Sequence, residues 1–427
     1  MTEPTLDTRA SRRAAKSASQ LSVRHARSGK RATRRGWLGF LGIALAVVLV
    51  SASSVAAIAA WDVWQSARLV ALEGDVPKIG AIEGGFNMML VGSDTRKGQS
   101  DSYGPDPGSN LNDVNMVIHV SADHKNVTVV SIPRDMVVPI AECPGGGGGW
   151  TGPINATMSD GGLPCIVKTV EELTGLDIPY AGLVTFDGVV DMSNAVGGVK
   201  ICVNDTIDDV YTSLHLSKGW HTISGQTALA FLRTRHGVGD GSDLGRISNQ
   251  QVFLSALMRK VKSENLLANP LTLYTISKAI VSNMTLSTSL NSPDVLASMA
   301  MAVKGVDLNK IVFVQYPGTT GGSGVYSGKV QPDRTAAAQL FAAIKADKPV
   351  VITGGLGRGS TEGTAPTPTP TPTNTATIKK ASFTQPLAAA SATPTPTPTP
   401  TPVDPGVELD PSITGQSADQ YTCSKAN

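Results

Sequence analysis

Charge is scarce in this 427-residue chain: Asp, Glu, Lys and Arg together make up 16%, and the formal net charge is +2. A chain so close to neutral has no global signature of a nucleic-acid binder, which meets a phosphate backbone with a strongly basic surface. No helix-turn-helix pattern is evident, and the basic residues at the start are too few and irregular for a DNA-reading domain. Cysteine is scarce too. The four present show no CxxC or Cys/His spacing of the kind that holds zinc.

What charge there is clusters. Residues 1–36 carry Arg9, Arg12, Arg13, Lys16, Arg24, Arg27, Lys30, Arg31, Arg34 and Arg35 against only Glu3 and Asp7. Directly after them, "WLGFLGIALAVVLVSASSVAAIAAW", residues 37–61, has no charge at all. A bilayer-crossing helix needs roughly 20 apolar residues, and this run supplies them. Cationic flanks resist translocation, so the reading is a single-pass membrane protein with a cytoplasmic N-terminus and everything after residue 61 facing outward. Trp37, Trp61 and Trp64 stand where interfacial aromatic anchors belong. The alternative is a cleaved signal peptide, since "SSVAAIAA" offers small residues to a peptidase, and "TRRGWL" hints at a twin-arginine signal. Each option exports the domain.

The expected organisation is a basic leader (1–36), a transmembrane helix (37–61), a stalk (62–85), a catalytic domain (86–355), a Thr/Pro-rich disordered linker (356–402) and a C-terminal peptide (403–427). The linker, "TAPTPTPTPTNTATIKK…TPTPTPTPTP", is too polar and proline-rich to bury a core. In the last segment complexity returns, with Val, Leu, Ile, Tyr and a cysteine, so it is read as a peptide docked on the domain. A loose tail with a stray thiol is the alternative. An exported chain permits disulfides. Cys143 and Cys165 bracket "PGGGGGWTGPINATMSDGGLP", which has too little apolar content to hold its own shape; a bridge there would stabilise by about 3 kcal/mol. The alternative is two buried free thiols. Cys423 is available to pair with Cys202.

Short apolar β-type runs alternate with helical patterns, indicating an α/β layered architecture. "FNMMLVG", "VNMVIHVS" and "KNVTVVSI" read as three strands, the last two antiparallel across the short "ADHKN" turn. The first ends at Asp94, the second starts at Asp113, and the third delivers Arg134 and Asp135 to the same edge. "SGQTALAFLRTR" reads as a helix capped by Ser224 that ends at Arg233 and Arg235. "SDLGRISNQQVFLSALMRKVK" starts another, with Ser242 or Asp243 as cap and Arg246 in its first turn. Asp94 and Asp113 are hard oxygen ligands suited to Mg²⁺ or Mn²⁺ with retained waters. Arg134, Arg233, Arg235 and Arg246 supply planar forks for phosphate oxygens and are expected at a solvated edge. A metal with several arginines is what a diphosphate requires, both when bound and as its P–O bond breaks.

"MLVGSDTR", "NDVNMVIHVSADHKNVTVVSIPRD", "LTGLDIPYAGLVTFDGVVDMSNAVGGV", "ALAFLRTRHGVGDGSDLGR" and "QQVFLSALMRK", in this order over roughly residues 86–350, resemble the LytR–CpsA–Psr family in its actinobacterial form. The resemblance implies an α-β-α domain with a central mixed sheet, held at the membrane. It implies an enzyme that moves a glycopolymer from a polyprenyl pyrophosphate carrier onto peptidoglycan through a phosphodiester. By it, Asp94 and Asp113 match the metal-coordinating aspartates, and Arg134, Arg233, Arg235 and Arg246 the pyrophosphate-binding arginines. Asp243 is a candidate for positioning or base chemistry, and Arg96 a candidate to assist in substrate binding. Two departures stand out: Asn112 near an expected arginine, and Asn249–Gln250 where Arg-Gln is common. The family's lipid tunnel would draw on "YAGLVTF" and "VFLSALM", which read equally as core. Alternatives are a hydrolase using the same site and a non-enzymatic envelope regulator.

Overall fold

A computed structural model describes residues 67–74, 84–96, 110–366 and 406–427, with isolated positions between 41 and 58 and between 99 and 108. The basic leader and the Thr/Pro linker from residue 367 to 402 lie outside the described residues, as does most of the apolar run 37–61. The large apolar side chains described in that run, Leu41, Leu45, Val47, Val50 and Ile58, are exposed. Among the described residues no helix is long and apolar enough to cross a membrane.

An eight-stranded mixed sheet forms the centre. In chain order its strands are β1 (Arg68–Val70), β2 (Phe86–Ser93), β3 (Asn112–Val120), β4 (Val127–Ile132), β5 (Tyr180–Val184), β8 (Met284–Ser287), β9 (Ile311–Gln315) and β11 (Gly415–Ser417); a second sheet supplies β6, β7, β10 and β12, defined below. Across the central sheet the order is β1-β8-β5-β2-β3-β4-β9-β11. The short turn after Val120 makes β3 and β4 antiparallel, as its length requires. Alternation along β2 sorts its side chains. Met89 and Val91 join Val117 and Val130 against α1 (Thr157–Thr174) and α7 (Arg334–Lys345). Phe86 on the opposite face joins Met116, Tyr180 and Phe313 against α6 (Pro293–Lys304). Helices cover both faces, giving α-β-α layers.

The two faces are packed differently. Around the second, twelve apolar side chains stay partly exposed, among them Met88, Leu90, Val114, Val184, Leu254 and Met258; around the first there are five. Helix α6 and α5 (Pro270–Asn283) both start with proline in the first turn behind a capping Ser292 or Asn269, which leaves no interior N–H missing.

The smaller sheet has order β7-β6-β12-β10, with β6 (Val199–Val203), β7 (Gly219–Ile223), β10 (Ser360–Glu362) and β12 (Thr422–Ser424). Its Val199, Ile201 and Val203 pack on Phe231 of α3 (Gly225–Arg233) and Phe253 of α4 (Asp243–Ser263). Leu254 of α4 touches this cluster and the open face of the central sheet, so one helix ties the two sheets together. α2 (Phe186–Ala195) follows β5.

Three expectations need correcting. Arg68–Val70, placed in the stalk, is an edge strand parallel to β8, because three extended residues satisfy an otherwise open edge. The stretch between Cys143 and Cys165 is folded: Thr151–Pro153 pairs with Val137–Pro139, and Ile154, Met158 and Leu163 reach the core. Ser360–Glu362, beyond the boundary set at 355, pairs with β12, since Gly359 and Gly357 allow the chain to lie directly on α4. Cys143–Cys165 and Cys202–Cys423 are both bridged. The C-terminal peptide is docked and supplies a strand to each sheet, β11 beside β9 and β12 between β6 and β10.

Candidate active site

The site is built where the interior strands β2, β3 and β4 of the central sheet begin or end, an edge made of strand ends rather than of an outer strand. Gly92 pairs with Val114 but Ser93 with Asn112, so Asp113 is the extra residue of a β-bulge. A bulge re-aims a side chain that strict alternation would send elsewhere. Asp113 thereby meets two arginines. Its Oδ1 accepts from Arg134 Nη1 at 2.5 Å, and its Oδ2 lies 3.9 Å from Arg246 Nη1. Asp94 is held at the same edge, where its Oδ1 accepts from the Leu111 N–H at 2.8 Å.

Arg134 follows β4. Burial lowers its pKa, but the charge and hydrogen bond of Asp113, with Asp135 and Asp243 beyond, outweigh this and raise it above the usual arginine value. Asp135 serves three cations: Lys329 Nζ at 3.1 Å, Arg134 Nε at 3.7 Å and Arg235 Nη1 at 3.9 Å. Lys329 was not singled out in the sequence, because it sits in a glycine-rich loop without a motif. Arg233 lies over the Phe186 ring at 4.2 Å, a contact that favours a cation. Its pKa is pulled down, first by burial and then by Arg96 and Arg246, against the opposing pull of Asp113 and Asp94. Arg96 and Asp94 are thus close enough to act on the Arg233 charge.

Arg246 and Asp243 are not at a solvated edge. Their side chains are 5% and 2% exposed, with Arg246 Nη2 2.6 Å from Asp243 Oδ1. That approach is one of charge, since Asp243 Oδ1 receives no hydrogen bond; Nη2 donates to the Asp113 carbonyl at 2.6 Å. Ser242 caps α4, accepting from Gly245 N, and puts Asp243 at the positive helix end. The other Asp243 oxygen accepts the Arg134 N–H at 2.9 Å. One Asp243 oxygen thus holds the Arg134 backbone and the other faces Arg246 by charge, without a hydrogen-bond donor of its own, so the carboxylate sits between the two arginines and is placed to position them.

Both departures are structural. Asn112 is fully buried; its Nδ2 donates to Asn115 and to Ile154 O, and its Oδ1 accepts from Thr157 and Met158 N. Asn249, also buried, donates to Phe231 O at 2.6 Å, and Gln250 donates to Leu232 O at 3.0 Å, fixing the end of α3 that carries Arg233.

Asp209 was missed by sequence reasoning. It is buried in a short hairpin and accepts from Thr234 Oγ1 and from the N–H groups of Tyr211, Arg235 and Gly237. Nothing in "NDTIDDVYT" signals this, because all its partners except the nearby Tyr211 N–H come from 25 or more residues further on. Burial raises its pKa, but these hydrogen bonds prevail and hold it below the ordinary value. The ionised form therefore stabilises the fold at neutral pH. That contribution is lost as the pH falls below about 3.9 and on through the lower folded-state value. Asp209→Ala should cost about 3 kcal/mol at pH 7, since three backbone donors and a hydroxyl lose their acceptor. Urea midpoints at pH 7 and at acid pH check this: the gap from wild type should narrow in acid.

The guanidinium Nε–H groups of Arg134, Arg235 and Arg246 are buried and have no acceptor. Buried donors are almost always paired, and three in one cluster point to an anion. The cations Arg96, Arg134, Arg233, Arg235, Arg246 and Lys329 outnumber Asp94, Asp113, Asp135 and Asp243 by two.

The LytR_cpsA_psr family matches residues 65–346. The chain belongs to that family. It is 32% identical over 250 residues to the probable cell wall biosynthesis protein LcpB of Corynebacterium glutamicum, covering 57% of this chain and 58% of LcpB. It is 32% identical over 184 residues to TagT of Bacillus subtilis, a polyisoprenyl-teichoic acid–peptidoglycan teichoic acid transferase, covering 42% of this chain and 53% of TagT. The chain thus spans somewhat over half the length of these curated relatives. Among solved structures, B. subtilis TagV shares the fold with a TM-score of 0.50 at 23% identity, covering 62% of this chain and 97% of that one. A Streptococcus agalactiae protein does so with 0.52 at 21%, covering 63% and 90%. The LytR_cpsA_psr fold therefore carries the arginine cluster at the edge described above.

Proposed function

We propose that this protein transfers a glycopolymer from a polyprenyl diphosphate carrier to peptidoglycan, forming a phosphodiester in cell-wall biogenesis. The observation that carries the reading is the set of three buried Nε–H donors without an acceptor, on Arg134, Arg235 and Arg246, at a site with two surplus positive charges. The similarity to TagT, a polyisoprenyl-teichoic acid–peptidoglycan teichoic acid transferase, supports the substrate class, and that to the Corynebacterium cell wall biosynthesis protein supports the process.

In this reading the arginine forks hold the diphosphate oxygens, with Arg233 and Arg96 alongside. A sugar hydroxyl of the wall attacks the glycan-side phosphorus, the bridging P–O bond breaks, and polyprenyl phosphate leaves, with the hydroxyl proton passing to the released phosphate or to solvent. The forks stabilise charge where it grows, on the departing phosphate. The carrier chain would lie along the less tightly filled sheet face bordered by Val184 of β5 and Leu254 and Met258 of α4.

Asp94 and Asp113 fit a divalent cation held largely by substrate oxygens, the usual manner for Mg²⁺. No group of three or more His, Cys, Asp or Glu among the described residues could cage one. Bound there, Mg²⁺ or Mn²⁺ would offset diphosphate charge. Asp113 would divide its oxygens between the metal and Arg134, which orders that arginine. We place residues 37–61 in the membrane, the leader in the cytoplasm and the domain against the wall.

Purified protein should transfer polymer from a polyprenyl diphosphate donor to peptidoglycan fragments in the presence of Mg²⁺. Arg134→Ala and Asp113→Ala should each lose about 10²-fold or more. Lys125→Ala should transfer normally, because Lys125 is exposed in the β3–β4 turn and pairs only loosely with Asp123. Normal transfer by Arg134→Ala would remove the arginines from the reaction. Release of free polymer whether or not acceptor is added would make the enzyme a hydrolase.

A further inference from the structure

The loop that joins the two arginine-bearing helices, His236 to Gly241, contains three glycines, two of them with positive φ (Gly239 at 60° and Gly241 at 73°). Such a loop has little conformational preference of its own and must be held from outside. One hold is Asp209, which binds the N–H groups of Arg235 and Gly237. The other comes from the far end of the sequence. Gly239 N donates to Lys425 O at 2.9 Å, Asn427 N donates to Gly237 O at 3.2 Å, and Val238 and Ala426 form an antiparallel bridge between them. The Asn427 side chain adds a donor to His236 O at 3.0 Å.

The preceding residue reaches further into the site's supports. Ser424 Oγ bonds Asn249 Oδ1, and Asn249 in turn holds Phe231 O in the last turn of α3. Lys425 N donates to Gly359 O, from the segment lying on the first turn of α4. The segment thus holds the loop that follows Arg235 directly, and reaches the end of α3 that carries Arg233 through Asn249 and the start of α4 that carries Arg246 through Gly359.

We propose that Ser424–Asn427 are positioning residues for the diphosphate-binding arginines, setting the His236–Gly241 loop so that Arg233, Arg235 and Arg246 converge. The proposal rests on the functional reading above. It is separable from a plain stabilising role, because the strand pairing of β11 and β12 and the Cys202–Cys423 bridge all lie before residue 425.

The test compares wild type, a chain stopped after Ser424, and full-length Asn427→Ala and Asn427→Pro. Alanine removes the side-chain donor alone; proline also removes the N–H bound to Gly237 O. Three quantities are read: the melting temperature, amide exchange at Gly237–Gly241, and affinity for inorganic pyrophosphate as a probe of the arginines. Pyrophosphate affinity should fall in the order wild type, Asn427→Ala, Asn427→Pro, reaching about tenfold for the shortened chain. The Gly239 amide should exchange faster in the same order, with melting nearly unchanged. If the shortened chain unfolds, Asn427→Pro decides by the same readouts. Unchanged affinity and exchange, or a lower melting temperature alone, would reduce the segment to a structural strap. If wild type binds no pyrophosphate, the functional reading fails, while exchange at Gly239 still reports whether the segment holds the loop.

Discussion

Arg246→Ala should lose both transfer and stability, which sets it apart from its neighbours. Its guanidinium is 5% exposed and pairs with an Asp243 carboxylate that is 2% exposed. Removing one partner of a buried ion pair leaves the other charged and unsolvated, a cost of about 3–5 kcal/mol. Transfer should fall by about 10³-fold, since a fork facing the diphosphate is lost and the acid that also fixes the Arg134 N–H is set loose. Arg134→Ala should behave differently. Its side chain is 22% exposed and Asp113, its partner, 18%, so water can re-solvate the carboxylate and the stability loss should stay near 1 kcal/mol. Urea unfolding beside the transfer assay separates the two. Equal stability for both variants would show that burial of Arg246 is of no energetic account. Arg246→Lys should recover part of the stability but little transfer, because an ammonium restores the charge without the planar fork.

The contrast between these two arginines marks where the sequence stops being informative. Both are legible as phosphate ligands from "SIPRD" and "DLGR". Their depth is not, because it depends on how α4 meets the sheet edge. The strands are legible for a local reason: Met89 and Val91 alternate with Met88 and Leu90, and each set goes to its own face. The bulge at Asp113 interrupts this alternation without a Gly or Pro to announce it, so the aspartate could be placed at the edge but not aimed. Asp209 and Lys329 are illegible for a related reason. Each acts on groups distant in sequence, Asp209 on the backbone around Arg235 and Lys329 on Asp135, and neither carries a local motif. Asn249 was noticed only as a departure; its meaning depends on Ser424, 175 residues later. The C-terminal peptide was legible as something ordered through its returning complexity, but its division between two sheets follows from edges that only the assembled fold presents.

The Cys202–Cys423 bridge should be the larger of the two disulfide contributions. It spans 221 residues, against 22 for Cys143–Cys165. Loop-closure entropy grows with the logarithm of length, giving about 5 kcal/mol for the long loop and about 3 kcal/mol for the short one. The native state widens the difference. Cys143–Cys165 closes a loop that holds itself through buried Ile154, Met158 and Leu163. Cys202–Cys423 ties down β12, a three-residue strand at the end of a segment whose other anchors, β11, the pairing of Val407–Glu408 with Val350–Val351 and the buried Leu409 and Ile413, all lie earlier in the chain. When β12 detaches, β10 loses its partner and the His236–Gly241 loop loses its hold. Cys202→Ser with Cys423→Ser should therefore lower the urea midpoint more than Cys143→Ser with Cys165→Ser. It should also weaken transfer under conditions where the protein is still folded, whereas the other pair should transfer normally until it unfolds. If the short-loop pair is the more destabilised, the C-terminal segment is held by its hydrogen bonds alone and the bridge adds little to them.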